Sequence, residues 1–415
     1  MLQAQAAPAP EAIRTRLIVE PPRAVRQSVL PAEDDQRAEA AAAVAGIPPA
    51  LLRQFGATIR QTHERARVVV IDVPADRQAA LVEALAAIGI PARPPNPVQP
   101  MLNESVPLLN IPAVWRAGFD GSGIRVAIVD TGIDAGHPDF TGRVAAHSDF
   151  SGVGNRDDVG HGTHVAGIVA GGGAVYRGVA PRATLVIAKA LSAAGGTEDA
   201  VLAAMSWASR QDVRVMNLSL GGPGSPTSPL AREVDALVAD GIIVCVAAGN
   251  SGPTARTISS PGDAKSALTV GAADKESALA FYSSRGPVPG VRYGKPDLVA
   301  IGGGVTQGAA CAYGTGVASA RAQALAKDPC AVAPQYVRMS GTSMATPHVT
   351  GVCALLLQAI SDDRASVATH STRVRRALIS SARTMRGTTK SETGAGLVDA
   401  ERAFAQLRTK RRVAA

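Results

Sequence analysis

Three segments of the chain set a carboxylate, an imidazole and a hydroxyl among glycines, where backbone can approach a ligand closely. Asp130 closes the apolar run Val126–Asp130 (VAIVD). A carboxylate ending such a strand is costly to bury unless it is bonded, so it reads as a capped strand end, a ligand-binding Asp or a catalytic one. His161 lies in GHGTHVAG between Gly160 and Gly162, ahead of an apolar helix. His164 is an alternative by spacing alone, and the pair suggests a metal, but no HExxH pattern or third ligand accompanies it. Ser343 lies in GTSMATPHVTG at a predicted helix start, with Pro347 expected in the first turn. A serine there is ordinarily an N-cap. The same position sets backbone N–H groups and the positive end of the helix dipole beside the hydroxyl, which suits a developing oxyanion. Asn250 follows IIVCVAAG. It is a turn residue or, at a strand's carboxyl end, an amide donor to that oxyanion.

The elements that must position these groups alternate. Strands are predicted at Arg125–Asp130, Thr184–Leu191, Val213–Leu220 and Ile242–Ala248, and helices at His161–Ala170, Glu198–Arg210 and Leu230–Asp240. The strands lack polar alternation, as strands covered on both faces do. The fold class is α/β with a doubly wound, mostly parallel sheet, whose ligand crevice lies beyond the strands' carboxyl ends.

The first hundred residues differ. Arg14–Glu20, Ala57–Gln61, Ala66–Val73 and Ile90–Arg93 read as strands, and Ala32–Ala45 and Asp76–Gly89 as helices, the second with Leu81, Val82, Leu85 and Ile88 on one face. The order β-α-β-β-α-β is that of a small α+β ferredoxin-like domain. The expected organisation is a disordered segment (1–13), this domain (14–93), a Pro-rich extended linker and processing region (94–102), the α/β domain (103–407, with an insertion at 302–338) and a basic tail (408–415).

Of 415 residues, 46% are hydrophobic and 18% charged, enough for two cores. Lys+Arg 42 against Asp+Glu 34 gives a net charge of +8. With no nucleic-acid motif and no basic run interleaved with aromatics, that charge reads as a solvated surface, not a polyanion site. No stretch of about 18 apolar residues is evident, so no membrane span is expected. The N-terminus lacks the basic and apolar regions of a complete signal peptide. Cys245 and Cys353 sit in apolar runs and read as buried hydrophobes, whereas Cys311 and Cys330 lie in a loop-like stretch and form a disulfide candidate for an exported protein.

Taken together, VAIVDTGIDAGHPDF, GHGTHVAGIVAG, MNLSLGG, VAAGNSGP and SGTSMATPHVTG, in that order, closely resemble the subtilisin-like serine proteases, over roughly Asn103 to Leu407. The order Asp, His, Ser along the chain is the subtilisin one. The resemblance implies Ser343 as nucleophile, His161 as general base and acid, Asp130 as its orienting partner, and Asn250 with the Ser343 N–H as oxyanion hole. It implies that Ser219, Leu220 and Gly221 pair with substrate backbone and that Ala247, Ala248 and Gly249 form the opposite wall. The implied activity is broad endopeptidase hydrolysis with an apolar P1 preference. Protein or peptide substrates are the implied partners, and the ferredoxin-like domain is a prodomain that inhibits intramolecularly until self-processing. A monomer, secreted or extracytoplasmic, is expected; a cytoplasmic processing peptidase and a catalytically dead scaffold are the alternatives.

No cofactor is required by this reading. Glu104 and Asp139 match the family's calcium positions, but the loop Val169–Gly178 is short and carries no carboxylate, so calcium is only a candidate. Ser259-Ser260-Pro261 stands where Gly-Tyr-Pro is common, which suggests a shallower first pocket. The insertion is expected near the rim of Ser343.

Overall fold

The computed structural model describes residues 14–19, 46–63, 68–93, 104–304, 315–361 and 365–413. The chain divides into two compact units, Met1–Gln99 and Pro100–Ala415.

In the first unit, strands β1 (Arg14–Val19), β2 (Thr58–His63), β3 (Val68–Pro74) and β4 (Ala92–Arg93) form one sheet in the order β2-β3-β1-β4. All three pairings are antiparallel. Alternate residues Val69, Ile71 and Val73 are fully buried, as the two-residue period of a one-sided sheet requires. Leu81 and Leu85 of the helix Gln78–Ala87 join that core. Ile88 does not: the helix ends at Ala87, Gly89 follows with φ 75°, and Ile88 is 51% exposed. The expected helix Ala32–Ala45 lies outside the described residues, and a short helix that the pattern did not reveal spans Pro49–Gln54.

The second unit is built on seven strands: β5 (Arg125–Asp130), β6 (Val144–Asp149), β7 (Thr184–Lys189), β8 (Val215–Leu218), β9 (Ile243–Ala247), β10 (Leu268–Ala273) and β11 (Leu298–Ile301). Their order is β11-β10-β9-β8-β5-β7-β6, every pair parallel. The order turns about β5, which places the carboxyl end of that strand at the switch point of a doubly wound sheet. Two cores cover the faces. One holds the histidine helix (His161–Ala170) and the serine helix (Thr342–Ile360). The other holds the helices Glu198–Ser209 and Pro229–Ala239.

The serine helix is long and apolar enough to cross a membrane by length and composition, a feature that strict apolar runs did not expose. Here 89% of it is buried inside its own unit. Each fully buried leucine on it, such as Leu355 or Leu356, contributes about 1.5–3 kcal/mol relative to exposure.

The described part of the insertion forms a separate antiparallel sheet of β12 (Val317–Ala320), β13 (Ala331–Ala333) and β14 (Tyr336–Met339), in the order β12-β14-β13. It packs on the histidine helix, not simply along the rim near Ser343: His164 Nε2 lies 3.0 Å from the Val317 carbonyl and 3.2 Å from that of Val337, and the Ser319 hydroxyl donates to the His164 carbonyl at 2.8 Å. Cys330 is disulfide-bonded, Cys311 lies outside the described residues, and Cys245 and Cys353 are buried free thiols.

Candidate active site

Asp130 ends β5 and is 1% exposed. Its Oδ1 accepts from the Thr131 N–H at 2.7 Å and from His161 Nδ1–H at 2.7 Å. That fixes the imidazole tautomer and leaves Nε2 as the free basic nitrogen. The Asp loop and the histidine helix meet closely because residue 162 is glycine: a Cβ there would stand 2.2 Å from the Gly132 carbonyl oxygen. Burial disfavours the charged imidazolium of His161, but the charge and hydrogen bond of Asp130, then the charge of Asp157, outweigh it and raise its pKa above the ordinary imidazole value.

Asp157 is a site residue that motif reading missed. It is buried, and its two oxygens accept five hydrogen bonds: from the Thr131 hydroxyl, the Val159, Gly160 and Thr163 N–H groups, and the Thr163 hydroxyl. The last N–H groups are orphan donors at the start of the histidine helix, so Asp157 caps the element that carries His161. The available signal was an acidic pair, Asp157-Asp158, directly ahead of the GHGTHVAG segment.

His164, the alternative imidazole, is fully buried and directs Nε2 to two backbone carbonyls. Burial, and secondarily the nearby His161, push its pKa down to about 3. It is a neutral packing group. Among the described residues no group of three or more His, Cys, Asp or Glu could hold a metal ion.

Ser343 is the second residue of its helix, and the N-cap is Gly341. Pro347 is the sixth residue, inside the helix and not in its first turn. A proline there offers no N–H to the carbonyl four residues earlier, which is that of Ser343. The Ser219 hydroxyl takes over, donating to the Ser343 carbonyl at 2.8 Å. In return the Ser343 hydroxyl donates to the Ser219 carbonyl at 3.2 Å, not to His161. Val129 and Leu218 pair across β5 and β8, so Asp130 and Ser219, one residue further on, stand level on neighbouring strands about 4.8 Å apart. The hydroxyl held at Ser219 and the imidazole held at Asp130 therefore occupy adjacent strand ends.

Asn250 follows β9. Its Oδ1 accepts from the Thr342 N–H and from the Thr342 hydroxyl, both at 2.9 Å. Those two donors assign the amide orientation and turn Nδ2 the other way. A Cβ at Gly341 would stand 3.3 Å from Asn250 Nδ2 and 3.7 Å from the Ser343 nitrogen. The space between these two nitrogens is open because residue 341 has no side chain.

A cleft of about 700 Å³ opens on this point. Ser219, Leu220 and Gly221 line one side, Ala247 and Gly249 another, with Asn250 and Ser343 between. Ala248 is fully buried behind the wall, its carbonyl accepting from the Ser259 hydroxyl at 3.2 Å. Ser259 and Ile258 also line the cleft, and among the described residues Arg256 is the one charged residue that does.

A model described as the subtilase family matches residues 121–397, two thirds of the chain. The chain belongs to the subtilase family. Among curated relatives, serine protease AprX of Bacillus subtilis is 37% identical over 295 residues, 63% of this chain and 63% of that protein. The chain thus spans less than two thirds of that relative's length. Subtilisin DY of Bacillus licheniformis is 36% identical over 259 residues, 61% of this chain and 83% of its own. Among solved structures, a protease of Pseudoalteromonas arctica superposes with a TM-score of 0.61 at 26% identity, covering 75% of this chain and 99% of that one.

Each of the two candidate calcium ligands of this subtilase has one oxygen partnered, and Asp139 Oδ2 is buried without a hydrogen-bond partner among the described residues. Glu104 Oε2 is ion-paired with Lys275 Nζ and lies 3.6 Å from Arg338 Nη1. Asp139 Oδ1 accepts from the Tyr336 hydroxyl at 3.0 Å.

Proposed function

We propose that this subtilase is an endopeptidase that works through an acyl-enzyme intermediate. In this reading Ser343 Oγ attacks the scissile carbonyl carbon while its proton passes to His161 Nε2. Asp130 holds the imidazolium formed, and the oxyanion is received by Asn250 Nδ2 and the Ser343 N–H. Collapse of the intermediate expels the amine, which takes the proton from His161, and water then hydrolyses the ester by the same route. The observation that carries the reading is the open position between the two donors at Gly341, beside a hydroxyl and a carboxylate-paired imidazole.

The cleft supports broad specificity with an apolar P1 preference. An extended peptide pairing with Ser219–Gly221 binds through its backbone, with little sequence demand. Leu220, Ala247 and Ile258 offer an apolar wall, and Ser259 a small polar floor that suits medium-sized side chains.

The first unit acts, in this proposal, as a prodomain that blocks the enzyme until the chain cuts itself, and the mature enzyme is a secreted monomer. The secreted reading agrees with the disulfide at Cys330, for which Cys311 is the proposed partner. A thiol count on denatured, unreduced protein is then two, from Cys245 and Cys353, and a count of four argues for a reducing compartment.

The test of the activity is Ser343→Ala. Peptide hydrolysis is expected to vanish with the fold retained, and sulfonyl fluoride reagents should label only the wild type. Full activity in the alanine variant would remove the triad assignment.

A further inference from the structure

The insertion strand β14 touches every segment on which a cation would have to be assembled. Glu104 stands just before the first short helix of the α/β unit, Asp139 lies in the connection after β5, and the third segment is Val169–Gly178, the last residues of the histidine helix and the short loop that follows. Arg338 reaches Glu104, and the same guanidinium donates to the Gly316 carbonyl at 2.8 Å, which anchors it in the insertion. Tyr336 reaches Asp139 through its hydroxyl and lays its ring against Tyr176 of the third segment, centroids 4.3 Å apart. Next to it, His137 Nε2 lies 2.8 Å from the Gln335 carbonyl.

This arrangement does not suit a calcium ion. Calcium takes six to eight oxygens at about 2.3–2.6 Å. Glu104 Oε2 already faces an ammonium and a guanidinium, which repel a divalent cation. At Asp139, Oδ1 accepts from the Tyr336 hydroxyl and lies 3.9 Å from His137 Nδ1, while Oδ2 is buried with no hydrogen-bond partner among the described residues, in a space closed by backbone: a Cβ on Gly173 would stand 2.6 Å from the Tyr336 oxygen and 2.8 Å from Asp139 Oδ1.

We propose that Arg338 and Tyr336 of the insertion replace a divalent cation in this subtilase, tying Glu104, Asp139 and the 169–178 segment together, so that fold and activity are independent of calcium. The insertion is then a strap bound to the back of the histidine helix, since the carbonyl of Val337, between the two replacing residues, is a partner of His164.

The experiment is thermal unfolding of the full chain carrying Ser343→Ala, which prevents autolysis, in excess EGTA and in millimolar calcium chloride. A bound cation raises the melting temperature with its concentration, so the expected difference is below about 2 °C. Adding Arg338→Ala or Tyr336→Phe should lower the melting temperature by several degrees equally in both solutions, and Arg338→Lys should recover part of the loss. A difference above about 2 °C between the two solutions overturns the proposal, and so does an unchanged melting temperature in both Arg338→Ala and Tyr336→Phe. If Arg338→Ala does not fold, Arg338→Lys and Tyr336→Phe decide by the same criteria.

Discussion

Ser219 and Ser343 exchange two hydrogen bonds, hydroxyl to carbonyl at 2.8 Å in one direction and 3.2 Å in the other. The first exists because Pro347 cannot close the helical bond to the Ser343 carbonyl. Beneath the pair, Asn217 Nδ2 donates to the Ser219 hydroxyl at 2.9 Å, and the Thr350 hydroxyl donates to Asn217 Oδ1 at 2.9 Å. A chain of buried polar groups thus joins β8 to the serine helix. Ser219→Ala leaves the Asn217 amide and the Ser343 carbonyl unpaired, and it is expected to cost about 1–3 kcal/mol. Urea unfolding in the Ser343→Ala background measures this. A loss under about 0.5 kcal/mol would mean that the network does not hold the helix.

Asn250 is anchored by its oxygen and offers its nitrogen. Asn250→Ala should therefore lower kcat by roughly 100- to 1,000-fold, a magnitude that comes from subtilisin itself, with little change in KM. Asn250→Asp keeps the acceptor for Thr342 but loses the donor, and it should be impaired as well. Gly341→Ala should also impair turnover, because its methyl would stand 3.3 Å from Asn250 Nδ2 and strain a backbone held at φ 156°. Steady-state kinetics on a peptide substrate separates the cases. A pure KM effect in Asn250→Ala would make that residue a substrate ligand instead.

In the proposed mechanism the working form of His161 is neutral, whereas Asp130 and Asp157 both favour the protonated form. Activity should then rise with pH along an acid limb whose midpoint lies above the ordinary imidazole value. Asp157→Asn removes one of the two charges that raise the pKa, so the limb of kcat/KM should move to lower pH. The same change turns an amide donor toward the N–H of Thr163 and is expected to cost about 1–3 kcal/mol of stability. A limb that stays in place while stability falls would reduce Asp157 to a helix cap alone.

Much of the site was legible because the sheet is parallel. Runs such as VAIVD and IIVCVAA, apolar on both faces, mark buried strands, and Asp130 and Asn250 stand where those runs stop. What stayed hidden depends on contacts across long separations. Nothing local in MNLSLGG tells that Asn217 bonds Thr350, 133 residues on. Glu104 and Asp139 are only calcium candidates by family resemblance, and nothing near them tells that Arg338 and Tyr336, far along the chain in an insertion whose docking face no periodicity reveals, reach them. Pro347 fell a turn deeper than expected because the helix begins at Thr342, ahead of the serine taken as its cap.

Arg256 is exposed and lines the cleft, without a carboxylate partner among the described residues. It should favour substrates with an acidic side chain near the scissile bond over their neutral equivalents. An exposed pair of this kind contributes about 0.2–1 kcal/mol, so Arg256→Ala should lower kcat/KM for such peptides by up to about five-fold and leave neutral ones unchanged. A positional peptide library reads this at each substrate position. Equal changes on acidic and neutral peptides would exclude a charge effect.

The last expectation is self-cleavage near Leu102-Asn103, which lies outside the described residues. The sequence passes there from a Pro-rich extended segment, suited to a cleft that binds extended chains, to the start of the family resemblance. Leu102 would present an apolar side chain to the first pocket. Just beyond the bond the chain is already fixed to the catalytic unit: the Ser105 hydroxyl lies 2.7 Å from His348 Nε2 on the serine helix, and both residues are buried. Burial pushes the His348 pKa down to about 4, so that contact persists as a neutral hydrogen bond through the working pH range. The chain from Ser105 onward would thus stay in place after the cut. Wild type is expected to mature to a species starting within a few residues of Asn103, and Ser343→Ala to accumulate at full length. N-terminal sequencing and intact-mass measurement of both proteins decide the matter. A wild type that remains full length while fully active, or an inactive variant trimmed equally well, would show that the linker is not a processing site.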